Sequence, residues 1–368
     1  MEPLAHTLAG ACLAEAGLKR VTPLAATTLI IAANIPDIDG ACYLSSADVA
    51  FGFRRGWTHG VLAWFVLPVV LTLAMLAFDR LIRRRRDPAH AAARSVPLLA
   101  LSVLGVLTHP FLDWLNTYGI RLLMPISDRW FYGDTLFIVD PWLWLLFGGG
   151  AAFGWSRTRG GAVATALLAT AMTALVWGNP LVPAGARLAW GAGLAGWLLV
   201  RRWLPAERVR LAARVLLVLG VIYISMMFVG SRLAESRVRD LAAQRGWDAD
   251  RIAAMPQPLD PWRRTVIAVT PQAYWFVPVV WPRGSDEPAE AEVVSRGTFG
   301  PVVAAALNAP HVQGVRVWLR FPSYEVQPRR DGSYRVLIRD ARFAVGRRPG
   351  FGVVAIVDLD RDLKPMGP

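Results

Sequence analysis

The chain has 368 residues, of which 54% are hydrophobic and only 18% charged, and its mean hydropathy is +0.38. Soluble domains carry about a quarter charged residues, so this composition argues against a water-soluble enzyme and against a disordered chain. The net charge of +13 does not indicate a nucleic-acid partner. The basic residues of the apolar part lie in short clusters between apolar runs, as membrane topology requires.

Charge is distributed unevenly along the chain. The 40 Lys and Arg residues are divided equally between residues 1–230 and the much shorter segment 231–368. The first segment also holds the long apolar runs. We therefore predict a membrane-embedded domain over residues 1–230 and a soluble domain over residues 231–368.

The membrane domain begins with two short apolar segments, at about 4–18 and 21–35. Fifteen helical residues span only about 22 Å, so these segments predict a re-entrant hairpin or a short helical pair packed inside the bundle. Longer apolar runs follow, with lengths near the roughly 17–25 residues that a span requires. They predict about six transmembrane helices, at 59–78, 97–118, 138–155, 162–177, 186–204 and 211–230.

The basic residues of the loops predict the orientation in the membrane. Fifteen of them lie in one alternating set of connections, near residues 19–20, 80–94, 157–159 and 201–214. The other set holds Arg54, Arg55, Arg121, Arg129 and Arg187. Cytoplasmic loops are enriched in Lys and Arg, so the first set is predicted to be cytoplasmic. The soluble domain then lies on the extracytoplasmic side of the inner membrane.

The soluble domain is predicted to be a small α+β domain that is mostly antiparallel β. It opens with a helix at about 231–245. Apolar and polar residues then alternate with a period of two at 315–321, and further strand-like runs occupy 334–343 and 351–360.

Ionisable side chains recur near the outer ends of the predicted membrane segments. His6, His59 and His109 all lie in the first 110 residues, close to acidic groups. Such groups are costly to bury in a membrane and indicate a functional site. His109 and Asp113 are four residues apart on a predicted helix and so share one face. The candidate carboxylates of the same side are Asp37, Asp39, Asp113, Asp134 and Asp140. Histidine and carboxylate together suit zinc or a similar divalent ion.

The segments HTLAG, NIPDID, RGWTHG and HPFLDWLNTYG resemble the bacterial membrane-bound metal-dependent hydrolase family, which in some members is regulated by the SOS repressor. The resemblance covers roughly residues 1–180. A more distant similarity is to one zinc site of the zinc-dependent phospholipase C and single-strand nuclease superfamily. It lies in the order Asp, about 20 residues, His, about 50 residues, and His-x-x-x-Asp.

The similarity to the phospholipase C and single-strand nuclease superfamily implies a set of metal ligands. Asp39, or Asp37 in its place, would join His59, His109 and Asp113 around one ion, and His6 would share Asp113 with a second ion. The further histidine ligands of that superfamily have no match here, since only His90 and His311 remain. One or two ions are therefore expected, with zinc favoured over manganese.

The expected activity is hydrolysis of a phosphoester, either lipid-linked or in a lipid headgroup, by a metal-activated water at the extracytoplasmic face. A spare carboxylate would act as the base, and outer-loop arginines would bind the phosphate. The candidates for the base are Asp37, Asp134 and Asp140; for phosphate binding Arg55, Arg121 and Arg129; and for support beside the ligands Asn116 and Tyr118. Each also has an ordinary structural interpretation, as a helix cap, a turn or a lipid-headgroup contact.

Two other functions fit the same residues. One is an ion- or proton-coupled transporter, although such proteins are expected to show internal symmetry and no repeat is visible in this sequence. The other is a scaffold with a structural metal site, which the sequence does not separate from a hydrolase. The lipid bilayer is the expected partner. The substrate, the metal and the oligomeric state stay open.

Overall fold

The structure is a computed structural model that describes residues 1–180, 182–281, 291–343 and 352–367. The chain divides into two compact units. The first comprises Met1–Ile38, Arg55–Val229 and Pro256–Pro261, and the second comprises Asp39–Arg54, Gly230–Met255 and Trp262–Pro368.

Helices form most of the first unit. The longer ones are Pro3–Glu15, Ala25–Ala32, Val61–Phe78, Ser95–Trp114, Arg159–Gly178 and Ala184–Trp203, followed by the start of Val209–Gln244. A further helical stretch consists of Pro141–Leu143, the π-helical turn Trp144–Gly148 and Gly149–Trp155.

Four helices of the described residues are long and apolar enough to cross a membrane: Val61–Arg86, Ser95–Trp114, Arg159–Gly178 and Ala206–Gln244. The prediction of about six spans is not confirmed. The run predicted at 138–155 forms consecutive helical segments of 3, 5 and 7 residues over 141–155, which together are shorter than the roughly 17–25 residues of a span. The run predicted at 186–204 does form a 20-residue helix, but Arg201 and Arg202 occupy its last turn. An apolar sequence run is therefore not always long or apolar enough to be a candidate span.

The two N-terminal helices are short and packed against a longer one. Pro3–Glu15 has 13 residues and Ala25–Ala32 has 8, so they extend only about 20 and 12 Å. A Cβ atom built on Gly105 of the Ser95–Trp114 helix would lie 2.4 Å from the Cβ atom of Ala32. Small residues thus allow the backbones to approach closely, and this contact orients a helix that carries two of the expected ligands.

The second unit contains two antiparallel sheets, which confirms the prediction of an antiparallel β domain. The strands are β1 Arg251–Gln257, β2 Asp260–Val269, β3 Ala273–Val280, β4 Glu292–Ser295, β5 Pro322–Pro328, β6 Tyr334–Asp340 and β7 Val353–Leu359. The strand orders of the two sheets are β1-β2-β3-β4 and β5-β6-β7.

Three short helices accompany these sheets: Ala47–Phe53, Pro301–Leu307 and Gln313–Trp318. The first and third are in close contact, because a Cβ atom on Gly314 would lie 1.7 Å from the backbone oxygen of Asp48. The Asp48 carboxylate also accepts a hydrogen bond from the backbone N–H of Val315 at 3.0 Å. Residues before the first long span thus pack within the second unit.

The strand predicted at 315–321 is wrong over most of its length, since Gln313–Trp318 is helical. Val312, Val315 and Trp318 are all buried. Their spacing of three places them on one face of a helix, whereas the alternation of apolar and polar residues at 315–321 also fits a strand. The segment is helical, and it buries the residues that recur with the helical period.

The two helical elements predicted at 211–230 and 231–245 are one continuous helix, Val209–Gln244, of 36 residues. It contains no proline, and its last turns are rich in Ala, Leu, Arg, Glu and Gln, which are good helix formers. The change in composition near residue 230 therefore marks no break in the backbone.

Candidate metal centre

Two imidazoles and two carboxylates converge in the first unit. The Nε2 atoms of His59 and His109 are 3.2 Å apart. Asp113 Oδ2 lies 3.2 Å from His59 Nε2 and 3.6 Å from His109 Nε2. Asp37 Oδ1 lies 3.9 and 3.7 Å from the same two nitrogens. One ligand atom from each residue lies within 4.8 Å of all the others, so these four residues form a cluster that could hold a metal ion.

Three separate chain segments supply the cluster. His109 and Asp113 lie one turn apart on the Ser95–Trp114 helix, as the i, i+4 spacing predicts. His59 lies in the turn just before the Val61–Phe78 helix, and Asp37 lies in the 3-10 helix Ile35–Leu44. The side chains of His59, His109 and Asp113 are fully buried, whereas that of Asp37 is 12% exposed. The cluster is therefore most accessible on the side of Asp37.

Hydrogen bonds outside the cluster orient both rings. His109 Nδ1 lies 2.7 Å from the backbone oxygen of Ala33, and His59 Nδ1 lies 2.9 Å from Thr58 Oγ1. A carbonyl oxygen only accepts, so His109 Nδ1 carries a proton, and a neutral ring then has its lone pair on Nε2. Such a partner on the outer ring nitrogen is the usual arrangement for a metal-ligating histidine.

The geometry and chemistry of the donor set fit a divalent ion. A tetrahedral zinc site with bonds of about 2.0–2.2 Å requires ligand atoms separated by about 3.3–3.6 Å. The five separations given above run from 3.2 to 3.9 Å. With a neutral His109, its Nε2 lone pair faces another ring nitrogen and two carboxylate oxygens. A cation at their centre relieves that repulsion.

The second oxygen of Asp113 faces other polar groups. Asp113 Oδ1 contacts the amino group of Met1, lies 3.3 Å from His6 Nε2 and accepts a hydrogen bond from Arg55 Nη2 at 3.0 Å. The His6 ring also stacks on that of His109, with centroids 3.7 Å apart. The structure therefore brings His6 beside the cluster, on the carboxylate that it was expected to share.

Arg55 differs from its expected role in an outer loop. Its side chain is only 2% exposed, and Arg55 Nε lies 3.0 Å from Asp113 Oδ2. Arg55 Nη1 donates to the side-chain oxygen of Asn116 at 3.0 Å, and the guanidinium lies 4.4 Å from the centroid of the Tyr118 ring. Arg55 is thus a buried countercharge for the Asp113 carboxylate. Asn116 and Tyr118, expected beside the ligands, contact this arginine.

The structure distinguishes Asp37 from Asp39. The resemblance favours Asp39 as ligand, with Asp37 as the alternative, and Asp37 is the one that belongs to the four-residue cluster. Asp39 Oδ1 instead lies 3.4 Å from Arg54 Nε. Residues two apart on a 3-10 helix, with three residues per turn, point in different directions. Only one of the two can therefore face the histidines.

The remaining candidates lie outside the four-residue cluster of the described chain. Asp140 caps the helix that starts at Pro141, because its Oδ1 accepts from the N–H groups of Trp142 and Leu143. Its Oδ2 accepts from the Tyr223 hydroxyl at 2.9 Å.

Asp134 is buried and has a φ of +49°. Arg121 is also buried, 5.3 Å from the centroid of the Trp130 ring. Arg129 is exposed and lies 5.3 Å from the centroid of the Phe131 ring. Their predicted roles in catalysis and phosphate binding stay predictions.

The sequence did not reveal the groups that orient the ligands. The backbone oxygen of Ala33 and the amino group of Met1 carry no motif, since every residue type offers a backbone oxygen. Thr58 is next to His59 in the sequence, but a threonine before a histidine is not by itself a signal. The sequence also did not indicate that Arg55 is buried, because Arg55 follows Arg54 in the segment FRRGW and paired arginines are usually exposed.

The fold and this cluster define a membrane protein with a candidate metal centre in its N-terminal half. In agreement, residues 1–181 match the family model described as YdjM inner membrane protein, which points to a bacterial membrane protein family. The match covers just under half of the chain and contains all four cluster residues.

A shorter stretch of 110 residues is 26% identical to the protein YfhP of Bacillus subtilis (strain 168). That similarity covers 30% of this chain and 30% of the length of YfhP. No solved structure matches the chain.

Proposed function

We propose that the chain is a membrane-bound, metal-dependent hydrolase whose ion is held by Asp37, His59, His109 and Asp113. The observation that carries this proposal is the convergence of two ring nitrogens and two carboxylate oxygens at separations suited to one tetrahedral ion. Two nitrogen and two oxygen donors favour zinc, with manganese as the second choice.

The residues around the ion have distinct tasks in this proposal. A bound divalent ion supplies Lewis-acid polarisation of the scissile group and lowers the pKa of water near it. The hydrogen bond from His109 Nδ1 to Ala33 holds the ring with Nε2 directed inward. Arg55 offsets the charge of Asp113 and limits its movement. Asp37, the most exposed of the four, lies on the side from which the substrate and the attacking water would approach the ion.

We propose a phosphoester in a lipid, or linked to one, as the substrate. The membrane location of the chain supports a lipid. Most basic loop residues lie in the loops on the other side of the membrane from the site. Because basic loops are typically cytoplasmic, this distribution supports an extracytoplasmic position for the site. The exposed Arg129 is suited to attract the phosphate by charge.

A structural metal site is the second candidate, and one observation favours it. Three of the four ligand side chains are fully buried, and four protein ligands close the coordination of structural zinc sites, whereas catalytic sites keep an open position. In that case removal of the metal would unfold the first unit, and no substrate would be turned over.

Hydrolysis by the reconstituted full chain tests the proposal. Zinc- or manganese-loaded protein in vesicles is given a water-soluble phosphodiester, bis(p-nitrophenyl) phosphate, and a phospholipid with a fluorescent headgroup. We expect hydrolysis that a chelator abolishes, and Asp37→Asn, which replaces a ligand carboxylate, should lower kcat by at least the roughly 10–100-fold that loss of a group orienting a ligand costs. Asp128→Asn, an exposed aspartate on a loop, is the matched control and should keep wild-type activity. Metal-loaded protein that cleaves neither compound, and that unfolds when the metal is removed, would favour the structural site.

A further inference from the structure

An apolar cavity of about 480 Å³ lies in the first unit, away from the four ligands. Its walls include Phe137, Val139, Trp144, Val176 and Leu259. Ligand sites in proteins enclose roughly 300–1,000 Å³ and are mostly apolar, so both the volume and the lining of this cavity suit a hydrocarbon ligand.

One side of the cavity belongs to a helix that is a candidate membrane span. Ala174, Leu175 and Gly178 line it from the end of the Arg159–Gly178 helix, and all three are exposed. The Leu175 side chain is 62% exposed. On a membrane span, exposed apolar side chains face lipid. The cavity is therefore continuous with a lipid-facing surface, and a chain from the bilayer can enter it without crossing water.

The cavity lining also includes a residue in a strained conformation. Leu259 is only 6% exposed, and its φ is +55°. Left-handed backbone is rare for a leucine and persists where the surroundings impose it, often beside a ligand. The Trp142 indole donates to the backbone oxygen of Leu259 at 3.3 Å and holds this turn in place. Glycine adopts this backbone conformation more easily than leucine, but glycine would not provide an apolar side chain for the cavity lining.

Polar groups connect the edge of the cavity to a cation and to the candidate metal centre. The backbone oxygen of Asn179, which lines the cavity, accepts from Arg187 Nη2 at 3.0 Å. On another side, the Trp144 indole donates to the Glu2 carboxylate. Glu2 follows Met1, whose amino group contacts Asp113. Arg187 thus contacts a residue of the cavity lining, and Trp144 of the cavity wall is connected to Asp113 through Glu2 and Met1.

We propose that this cavity binds one acyl chain of a bilayer phospholipid, and that this lipid is the substrate of the metal centre. The proposal rests on the hydrolase function proposed above. It adds the part of the substrate that is recognised: the hydrocarbon chain as well as the phosphoester.

Photo-crosslinking of the full chain in lipid nanodiscs tests this proposal. The probe is phosphatidylglycerol with a diazirine near the end of one acyl chain, and labelled residues are located by mass spectrometry. In wild-type protein we expect labelling of Phe137, Val139 and Leu259 well above that of Leu167, which is 67% exposed on the same membrane helix but outside the cavity.

Two tryptophan variants provide the comparison. Ala174→Trp should lower cavity labelling about tenfold, because an indole added at an exposed position fills the space that the chain needs. Ala171→Trp, an exposed alanine on the same helix outside the cavity lining, should leave it unchanged. Equal labelling of the cavity and of Leu167 in wild type, or equal effects of the two variants, would overturn the proposal.

A parallel assay separates this inference from the hydrolase function. Ala174→Trp should raise KM for the phospholipid, whereas Ala171→Trp, outside the cavity lining, should leave hydrolysis of both compounds unchanged. Hydrolysis of the soluble ester without cavity labelling overturns the lipid cavity alone. Cavity labelling without hydrolysis of either compound overturns the metal-dependent hydrolase and the lipid's role as its substrate.

Discussion

Replacing Gly105 by alanine should weaken metal binding although Gly105 is not a ligand. The added Cβ atom would lie 2.4 Å from the Cβ atom of Ala32, where ordinary contacts begin at 3.4 Å, and 3.2 Å from the backbone oxygen of Leu29. The Ala25–Ala32 helix must therefore move away by about 1 Å at this contact. Overpacking of this kind costs about 1–3 kcal/mol of stability.

The same movement reaches the ligand His109. Ala33 follows Ala32 directly, and its backbone oxygen accepts from His109 Nδ1 at 2.7 Å. A retreat of about 1 Å lengthens this contact beyond hydrogen-bond range. Loss of a partner that orients a ligand lowers metal affinity by about 10–100-fold, which is the effect expected for Gly105→Ala.

Gly196→Ala is the matched control for this experiment. Gly196 is exposed within the Ala184–Trp203 helix, and an added Cβ atom meets nothing within 4 Å. Both variants gain up to about 1 kcal/mol of helix propensity, so their difference isolates the packing contact. Zinc affinity is measured by competition with a chromogenic chelator, and the free energy of unfolding by titration with SDS. Equal zinc affinity in Gly105→Ala and Gly196→Ala would refute the reasoning.

Three further predictions concern other parts of the chain. Asp140→Ala should cost about 1 kcal/mol through loss of a helix N-cap and keep the wild-type metal content, which elemental analysis checks. Gly314→Ala should destabilise the second unit by about 1–3 kcal/mol or more, because its Cβ atom would meet the Asp48 backbone; unchanged protection of that unit from proteolysis would contradict this. Hydrogen bonding from Arg335 lowers the pKa of Asp358 from its ordinary value of 3.8 to about 2. Its stabilising contribution is therefore complete above the ordinary pKa and lost as the pH falls towards 2; Asp358→Asn should flatten this acid dependence in a thermal unfolding series.

The sequence predicts the parts of the cluster that depend on local spacing. His109 and Asp113 share a helical face by their separation alone, and apolar surroundings mark His59 as unusual. The choice between Asp37 and Asp39 depends on the rotation of a 3-10 helix, which two acidic residues in NIPDID do not reveal. The approach of Asp37 to the histidines also requires tight helix packing at Gly105, and the sequence does not show which helix a glycine will contact.

The fold was predictable where the residue pattern had one interpretation. The runs at 334–343 and 351–360 supply β6 and β7, because alternating residues with many β-branched members suit a strand. The run at 315–321 had two interpretations, and burial of Val312, Val315 and Trp318 on one face made most of it helical. Hydrophobicity alone likewise did not reveal that the helix in the run at 138–155 begins only at Pro141 and contains a π-helical turn at Trp144–Gly148.

The metal content of the purified full-length protein tests the central claim most directly. Wild type, His109→Ala, Asp113→Asn and the control His90→Ala, which replaces an exposed histidine outside the cluster, are reloaded with zinc or manganese and measured by elemental analysis. A single four-ligand cluster predicts about one equivalent in wild type and in His90→Ala, and a large loss in the two cluster variants while they remain folded. Little metal in reloaded wild type, or full metal content in both cluster variants, would contradict the claim.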